Sequence, residues 1–347
     1  MTAEATGDAR LAVPGLARSG DFIAPPWLAS AHLQSVWPSL PLRRRAVLRR
    51  CAELIEASEP VLLDCGEDVR LLALRSMQER AGRPSAARMI VLLHGWEGSA
   101  DSLYVLSLGQ YLFARGFDVL RLNLRDHGDT HHLNAGIFHS CRIAEVVGAV
   151  RCAQQQHPDR ALSLVGFSLG GNFCLRVGAR AAQAHLELDR IVAVCPVIDP
   201  AHTLTRLEDG WALYRRYFVW KWQRSLAKKQ AAWPDLYDLR EVRRMGDLRR
   251  MTDHLARVHG GFPSLDAYLR GYAVTDRALE PLAVPTRIIA AADDPIIPAA
   301  DLAQLAAPPA LEISRTAQGG HCGYIDLALG GSWLEREVLT TLQSRRR

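Results

Sequence analysis

Residues 161–178 read ALSLVGFSLGGNFCLRVG. The first five form a continuous apolar run, which suits a strand covered on both faces, and NFCLRVG repeats its apolar positions at helical spacing. GFSLG at 166–170 therefore falls on a sharp strand-to-helix turn. Such a turn forces its serine into strained backbone, and Gly166, Gly170 and Gly171 leave room for it to close. Ser168 is thereby expected at the carboxyl edge of a sheet, with a helix N-terminus favouring negative charge beside it. The plainer reading is a glycine-rich turn with an incidental serine, so the rest of the chain must decide.

Outward from this stretch the same alternation repeats. ARMIVLLHG (87–95), FDVLRLNLR (117–125), RIVAVCPV (190–197), TRIIAAADD (286–294) and ALEISR (310–315) read as buried strands. SLYVLSLGQYLFARG (102–116), IAEVVGAVRCAQQQ (143–156) and NFCLRVGARAAQAH (172–185) read as helices between them. Strands and helices in alternation predict an α/β fold, a mostly parallel central sheet with helices on both faces. The alternation stops at about 200 and resumes at about 280, which predicts a helical cap inserted at 201–280 between two parts of the core, 86–200 and 281–347. Residues 1–85 form an N-terminal extension. AELIEASEPVLLDCGEDVRLLALRS within it reads as an antiparallel edge hairpin, and FIAPPWLASAHLQSVWPSL as a lead that wraps the body.

A serine hydroxyl becomes a nucleophile only beside a base that is itself oriented by a third group. ADDPIIP (292–298) offers a carboxylate after one strand, and GGHCGY (319–324) a histidine after the next. Asp293 and Asp294 compete for the first role, because successive side chains of an extended segment point to opposite sides. An oxyanion needs donors too. The N–H of Leu169, next after the serine, supplies one, and HGWEGS (94–99), whose Gly95 permits a tight approach, would aim the Trp96 N–H as the other. LNLRDHGDTHH (122–132) is dense in His127, Asp129, His131 and His132, but the spacing matches no metal motif, so it reads as a polar loop shaping a pocket, with no metal.

Composition sets the outer limits. At 347 residues, 48% hydrophobic and 23% charged, the chain can bury a large core and needs no staples. No run approaches the ~20 apolar residues of a membrane span, and the N-terminus lacks the apolar stretch of a signal peptide, so a cytoplasmic protein is expected. Seven cysteines with no C-x-x-C pair read as small core residues. The net charge of +5 comes with no basic block long enough for a nucleic-acid groove.

Together these pieces resemble the α/β-hydrolase superfamily over most of residues 86–340. RDHGDT resembles that superfamily's R-G-H-G-x-S loop, with Asp126 where glycine is usual. AHLQS (31–35), HGWEGS, the FHS of 138–140 and GFSLGGN (166–172) are similar to the YheT-like branch of carboxylesterases. The resemblance implies Ser168 as nucleophile, His321 as base and Asp294 as acid, in the superfamily's own chain order, with D-P-I-I-P following the acid. It implies a cofactor-free serine esterase or lipase-like hydrolase working through an acyl-enzyme. A thioesterase or acyltransferase would use the same triad, and a non-catalytic binding protein could share the fold.

The insertion speaks to the substrate. In WALYRRYFVWKWQRSL (211–226), Trp211, Tyr214, Phe218 and Trp222 recur at three, four and four, one stripe of a helix. Core packing explains the stripe, and so does a lid lining an acyl-chain pocket. The partner expected is a small-molecule ester with an apolar acyl chain. Arg215, Arg216, Lys221, Arg224, Lys228 and Lys229 read first as a solvated outer face, and only second as a surface for transient contact with an anionic membrane.

Overall fold

The computed structural model describes residues 16–17, 22–327 and 331–344. Its strands, in chain order, are β1 (Leu16–Ala17), β2 (Ser58–Asp64), β3 (Arg70–Ser76), β4 (Arg88–Leu93), β5 (Asp118–Leu122), β6 (Ala161–Phe167), β7 (Leu188–Val194), β8 (Thr286–Ala291) and β9 (Leu311–Thr316). They form one sheet in the order β1-β9-β8-β7-β6-β4-β5-β3-β2. β2 with β3 and β3 with β5 run antiparallel, and the other neighbours are parallel. The continuous apolar runs have their cause here, because each central strand is covered twice. Along β4, Met89, Val91 and Leu93 enter one core layer while Ile90 and Leu92 enter the other.

The helices are α1 (Ala31–Val36), α2 (Pro41–Arg50), α3 (Ala52–Glu56), α4 (Leu103–Phe113), α5 (Ile143–Gln156), α6 (Leu169–Gly178), α7 (Pro200–Asp209), α8 (Ala212–Ala232), α9 (Leu248–Val258), α10 (Leu265–Arg270) and α11 (Trp333–Gln343). α2, α3, α4 and α11 bury their apolar stripes on one face of the sheet. α5 and α6 cover the other, where the cap side chains Leu204, Tyr214, Leu226, Met251 and Leu269 also pack. α7 to α10 run between β7 and β8. Among the described residues, no helix is long and apolar enough to cross a membrane.

Two local expectations are corrected. AELIE is not part of the hairpin but forms α3, because its buried Leu54 packs on the sheet side and the Leu54 N–H donates to Gln110 Oε1 on α4 (2.9 Å). The helix expected at 172–185 starts at Leu169, directly after Ser168, and stops at Gly178.

Candidate active site

The turn between β6 and α6 holds Ser168 at φ 53°, ψ −117°, a backbone conformation L residues rarely adopt. The Ser168 N–H donates to Val194 O (2.8 Å), which ties the turn to β7. The glycines are there for close approach. A Cβ on Gly166 would lie 2.3 Å from Gly170 O, and one on Gly170 would lie 2.4 Å from Leu93 O. The loop after β4 presses against the serine from the other side, since a Cβ on Gly95 would meet Ser168 Cβ at 3.3 Å. That loop is pinned by Gly95 N–H to the Tyr104 hydroxyl (3.0 Å) and Gly98 N–H to Gly95 O (2.9 Å). Among the described residues, neither the Trp96 N–H nor the Leu169 N–H is taken up by a protein acceptor.

The two adjacent acids after β8 do different work. Asp294 is buried, and its Oδ2 accepts from His321 Nδ1 (2.9 Å) while Oδ1 accepts from the N–H groups of Ile296 (2.8 Å) and Ile297 (2.9 Å). Its carboxylate is thus locked, and it fixes the imidazole tautomer with the proton on Nδ1. Asp293 points the other way and accepts from Gly320 N–H (2.9 Å), anchoring the histidine loop. Burial opposes charge on His321, but the charge and hydrogen bond of Asp294 outweigh it, so the imidazole pKa lies above its ordinary value. Burial raises the Asp293 carboxyl, partly countered by the N–H groups of Gly320 and Gly319.

A third support comes from the N-terminal lead. Ser35 Oγ accepts the His321 N–H (2.8 Å) and donates to Ala31 O (2.7 Å). The buried Gln34 bridges Ile325, accepting its N–H (2.9 Å) and donating to its carbonyl (3.0 Å). Gly320 sits so close to α1 that a Cβ would lie 2.4 Å from Ala31 O. The AHLQS segment therefore clamps the histidine loop. Its polar residues in a short helix leave no periodic signal in the sequence that would mark Gln34 and Ser35 as supports of the site.

In the histidine-rich loop, His127 and His131 each have one ring nitrogen engaged within the protein. His127 Nδ1 lies 2.7 Å from Arg125 O, His131 Nε2 lies 2.9 Å from Ser225 Oγ, and Asp129 pairs with Lys228 (2.6 Å). Burial pushes both His127 and His131 down to about 4, so they are neutral at pH 7. Asp126, at φ 56°, takes the backbone conformation that makes glycine usual there. Its side chain is put to use, accepting from the buried Lys229 of α8 (2.9 Å) and from Phe138 N–H (2.8 Å). Lys229 also donates to the carbonyls of Asn134 (2.6 Å) and Gly136 (3.1 Å), which fastens the cap to the core. Among the described residues, one His/Cys group has donor atoms within 4.8 Å of one another: Cys195, His321 and Cys322. Its thiols are used in packing: Cys195 Sγ accepts the Cys322 N–H (3.4 Å), and Cys322 Sγ lies 3.6 Å from Val194 O. Burial drives the Cys322 thiol up, which favours the protonated form over a metal-binding thiolate.

Ser168, His321, Leu169 and Trp96 line one cavity of ≈ 420 Å³. Tyr214, Phe218 and Trp222 of α8 form its roof, with Phe218 stacked on Trp96 at 5.2 Å between centroids. Trp211 departs from the expected stripe: it precedes the first turn of α8, is 45% exposed, and packs against His32 at 4.9 Å instead of lining the cavity. Glu97 in the cavity wall is pushed up to about 7 by burial, opposed by the nearby Lys221.

A serine on a strained turn after β6, with a carboxylate and a histidine on the loops after β8 and β9, is the arrangement expected of an α/β-hydrolase. The chain belongs to that family, whose model, described as alpha/beta hydrolase fold, matches residues 88–327. It is 28% identical over 338 residues to a protein of Escherichia coli K12 whose name assigns it as an esterase, YheT, with 92% of each chain covered. It is also 22% identical over 287 residues to the medium-chain fatty acid ethyl ester synthase/esterase 2 of Saccharomyces cerevisiae, covering 72% of this chain and 60% of that one. In fold it is similar to the carboxylesterase CesB of Bacillus subtilis, with a TM-score of 0.53 at 15% identity over 88% of this chain and 98% of the other.

Proposed function

We propose that the protein is a serine hydrolase of carboxylic esters, with Ser168 as nucleophile, His321 as general base and Asp294 as the residue that orients it. The observation that carries this reading is the meeting, in one cavity, of a strained serine at a helix N-terminus and a histidine hydrogen-bonded to a locked carboxylate. His321 Nε2 takes the Ser168 proton as Oγ attacks the ester carbonyl, and Asp294 stabilises the imidazolium that forms. The N–H groups of Leu169 and Trp96 receive the negative charge on the carbonyl oxygen. His321 then protonates the departing alcohol, and water hydrolyses the acyl-enzyme by the same steps in reverse. The relatives named as esterases support the reaction class.

The acyl group enters an apolar chamber. Val36, Leu204, Leu207, Phe218, Trp222 and Leu269 are among its liners, so a substrate with an apolar chain fits it better than a polar one. A panel of p-nitrophenyl esters tests the proposal: kcat/KM should rise from acetate toward medium-chain esters, and Ser168→Ala should abolish turnover while leaving the thermal transition in place. Turnover by that variant near the wild-type rate would assign the chemistry to another residue.

A further inference from the structure

The inward stripe of α8 roofs the cavity, but the helix carries a second apolar stripe that stays about half exposed. Leu213, Tyr217 and Trp220 recur at spacings of four and three, and all are exposed, Trp220 to 50%. Arg224, one turn further on the same face, sets its guanidinium 4.8 Å from the Trp220 ring centroid, and Lys221 lies 5.6 Å from that of Tyr217. Leu213 and Tyr217 line the cavity as well, so this outer stripe reaches the mouth.

The start of α2 also borders the cavity. Leu40 and Pro41 line the cavity there, and the next residue, Leu42, is 78% exposed. α2 contains five arginines and α8 six lysines and arginines, and neither helix contains an acidic residue. Arg44, Arg45, Arg49, Arg216 and Arg224 are exposed and form no ion pair among the described contacts. Exposed tryptophan, tyrosine and leucine among unpaired guanidiniums match the layered chemistry of a bilayer surface, with rings at headgroup depth and cations on anionic phosphates. A second copy of the same face is a poor occupant, since a two-fold contact would set arginine against arginine.

We propose that the α2–α8 rim is a docking surface for an anionic lipid bilayer, placing the cavity mouth against the membrane. In that position an apolar chain passes from the bilayer into the cavity without crossing water. The proposal rests on the ester-hydrolase reading only for the identity of the cargo, and the docking itself does not require Ser168.

The test is flotation of the full chain with vesicles of pure phosphatidylcholine and with vesicles containing roughly 30% phosphatidylglycerol, whose anionic headgroups give a negative surface potential. The protein should float with the anionic vesicles at low salt, and high salt should release it. Ser168→Ala should float like the wild type, which separates this proposal from the catalytic one. Trp220→Ser with Arg44→Glu and Arg45→Glu should lower the bound fraction by about tenfold or more while hydrolysis of a soluble short-chain ester is retained. Absence of flotation at low salt, flotation insensitive to those substitutions, or a dimer by light scattering that the same substitutions dissolve would each overturn the proposal.

Discussion

At the scale of single residues, the neighbouring acids Asp293 and Asp294 show how one position in the chain separates two roles. Asp294 holds the imidazole, whereas Asp293 holds the backbone of Gly320. Asp294→Asn should therefore lower kcat by on the order of 10³ to 10⁴, the scale seen when a triad histidine loses its orienting carboxylate. Asp293→Asn should cost about tenfold or less, because its amide oxygen can still accept the Gly320 N–H. Steady-state kinetics on both folded variants gives the ranking, and the reverse order would remove Asp294 from the triad. The pH profile tests the base. A proton on His321 blocks the attack, and Asp294 raises the histidine pKa, so kcat/KM should fall with decreasing pH through a value above 6.5. Asp294→Asn leaves burial as the larger influence and should move this limb to lower pH. Glu97 titrates near 7 in the same cavity, so Glu97→Gln should leave the limb in place if it belongs to His321.

Whole elements differ in how plainly the sequence announces them. The strands from β4 to β8 are legible because they are covered on both faces and so read as nearly unbroken apolar runs bounded by turns, whereas β9 keeps Glu312 and Arg315 exposed. α1 was illegible for the opposite reason: six residues, one of them buried, held by side-chain hydrogen bonds that leave no period in the sequence. α1 nonetheless touches two parts of the site, the histidine loop through Ser35 and α8 through His32 and the Tyr214 hydroxyl (3.0 Å). Ser35→Ala should lower kcat roughly tenfold with a smaller change in KM, since it frees the backbone of the base while removing only one hydroxyl from the cavity wall. A matched loss in KM alone would place Ser35 in substrate binding instead. The cap anchor was equally hidden, because a lysine in a run of cations reads as surface. Lys229→Met should cost about 3–5 kcal/mol in urea unfolding by leaving Asp126 buried and unpaired. Adding Asp126→Gly should recover most of it, as glycine suits the positive φ and removes the orphaned charge.

For the molecule as a whole, the sheet does for the site what no local segment can do. It brings the loops after β4, β6, β8 and β9 to one carboxyl edge, from positions as far apart in the chain as Trp96 and His321. The cap then closes the same edge with apolar side chains, and the outer face of that cap adds cations and aromatics around the opening. Sequence spacing told which residues follow strands, but the inward and outward stripes of α8 overlap in one aromatic run, and only the packed helix separates them. The proposed chemistry requires Ser168 to be an activated nucleophile. Reaction of the intact protein with a fluorophosphonate, followed by mass spectrometry of its peptides, measures this most directly. One adduct per chain is expected, on Ser168, lost in Ser168→Ala and strongly slowed in Asp294→Asn. A folded protein that stays unlabelled, or that carries the adduct on another residue, would contradict it.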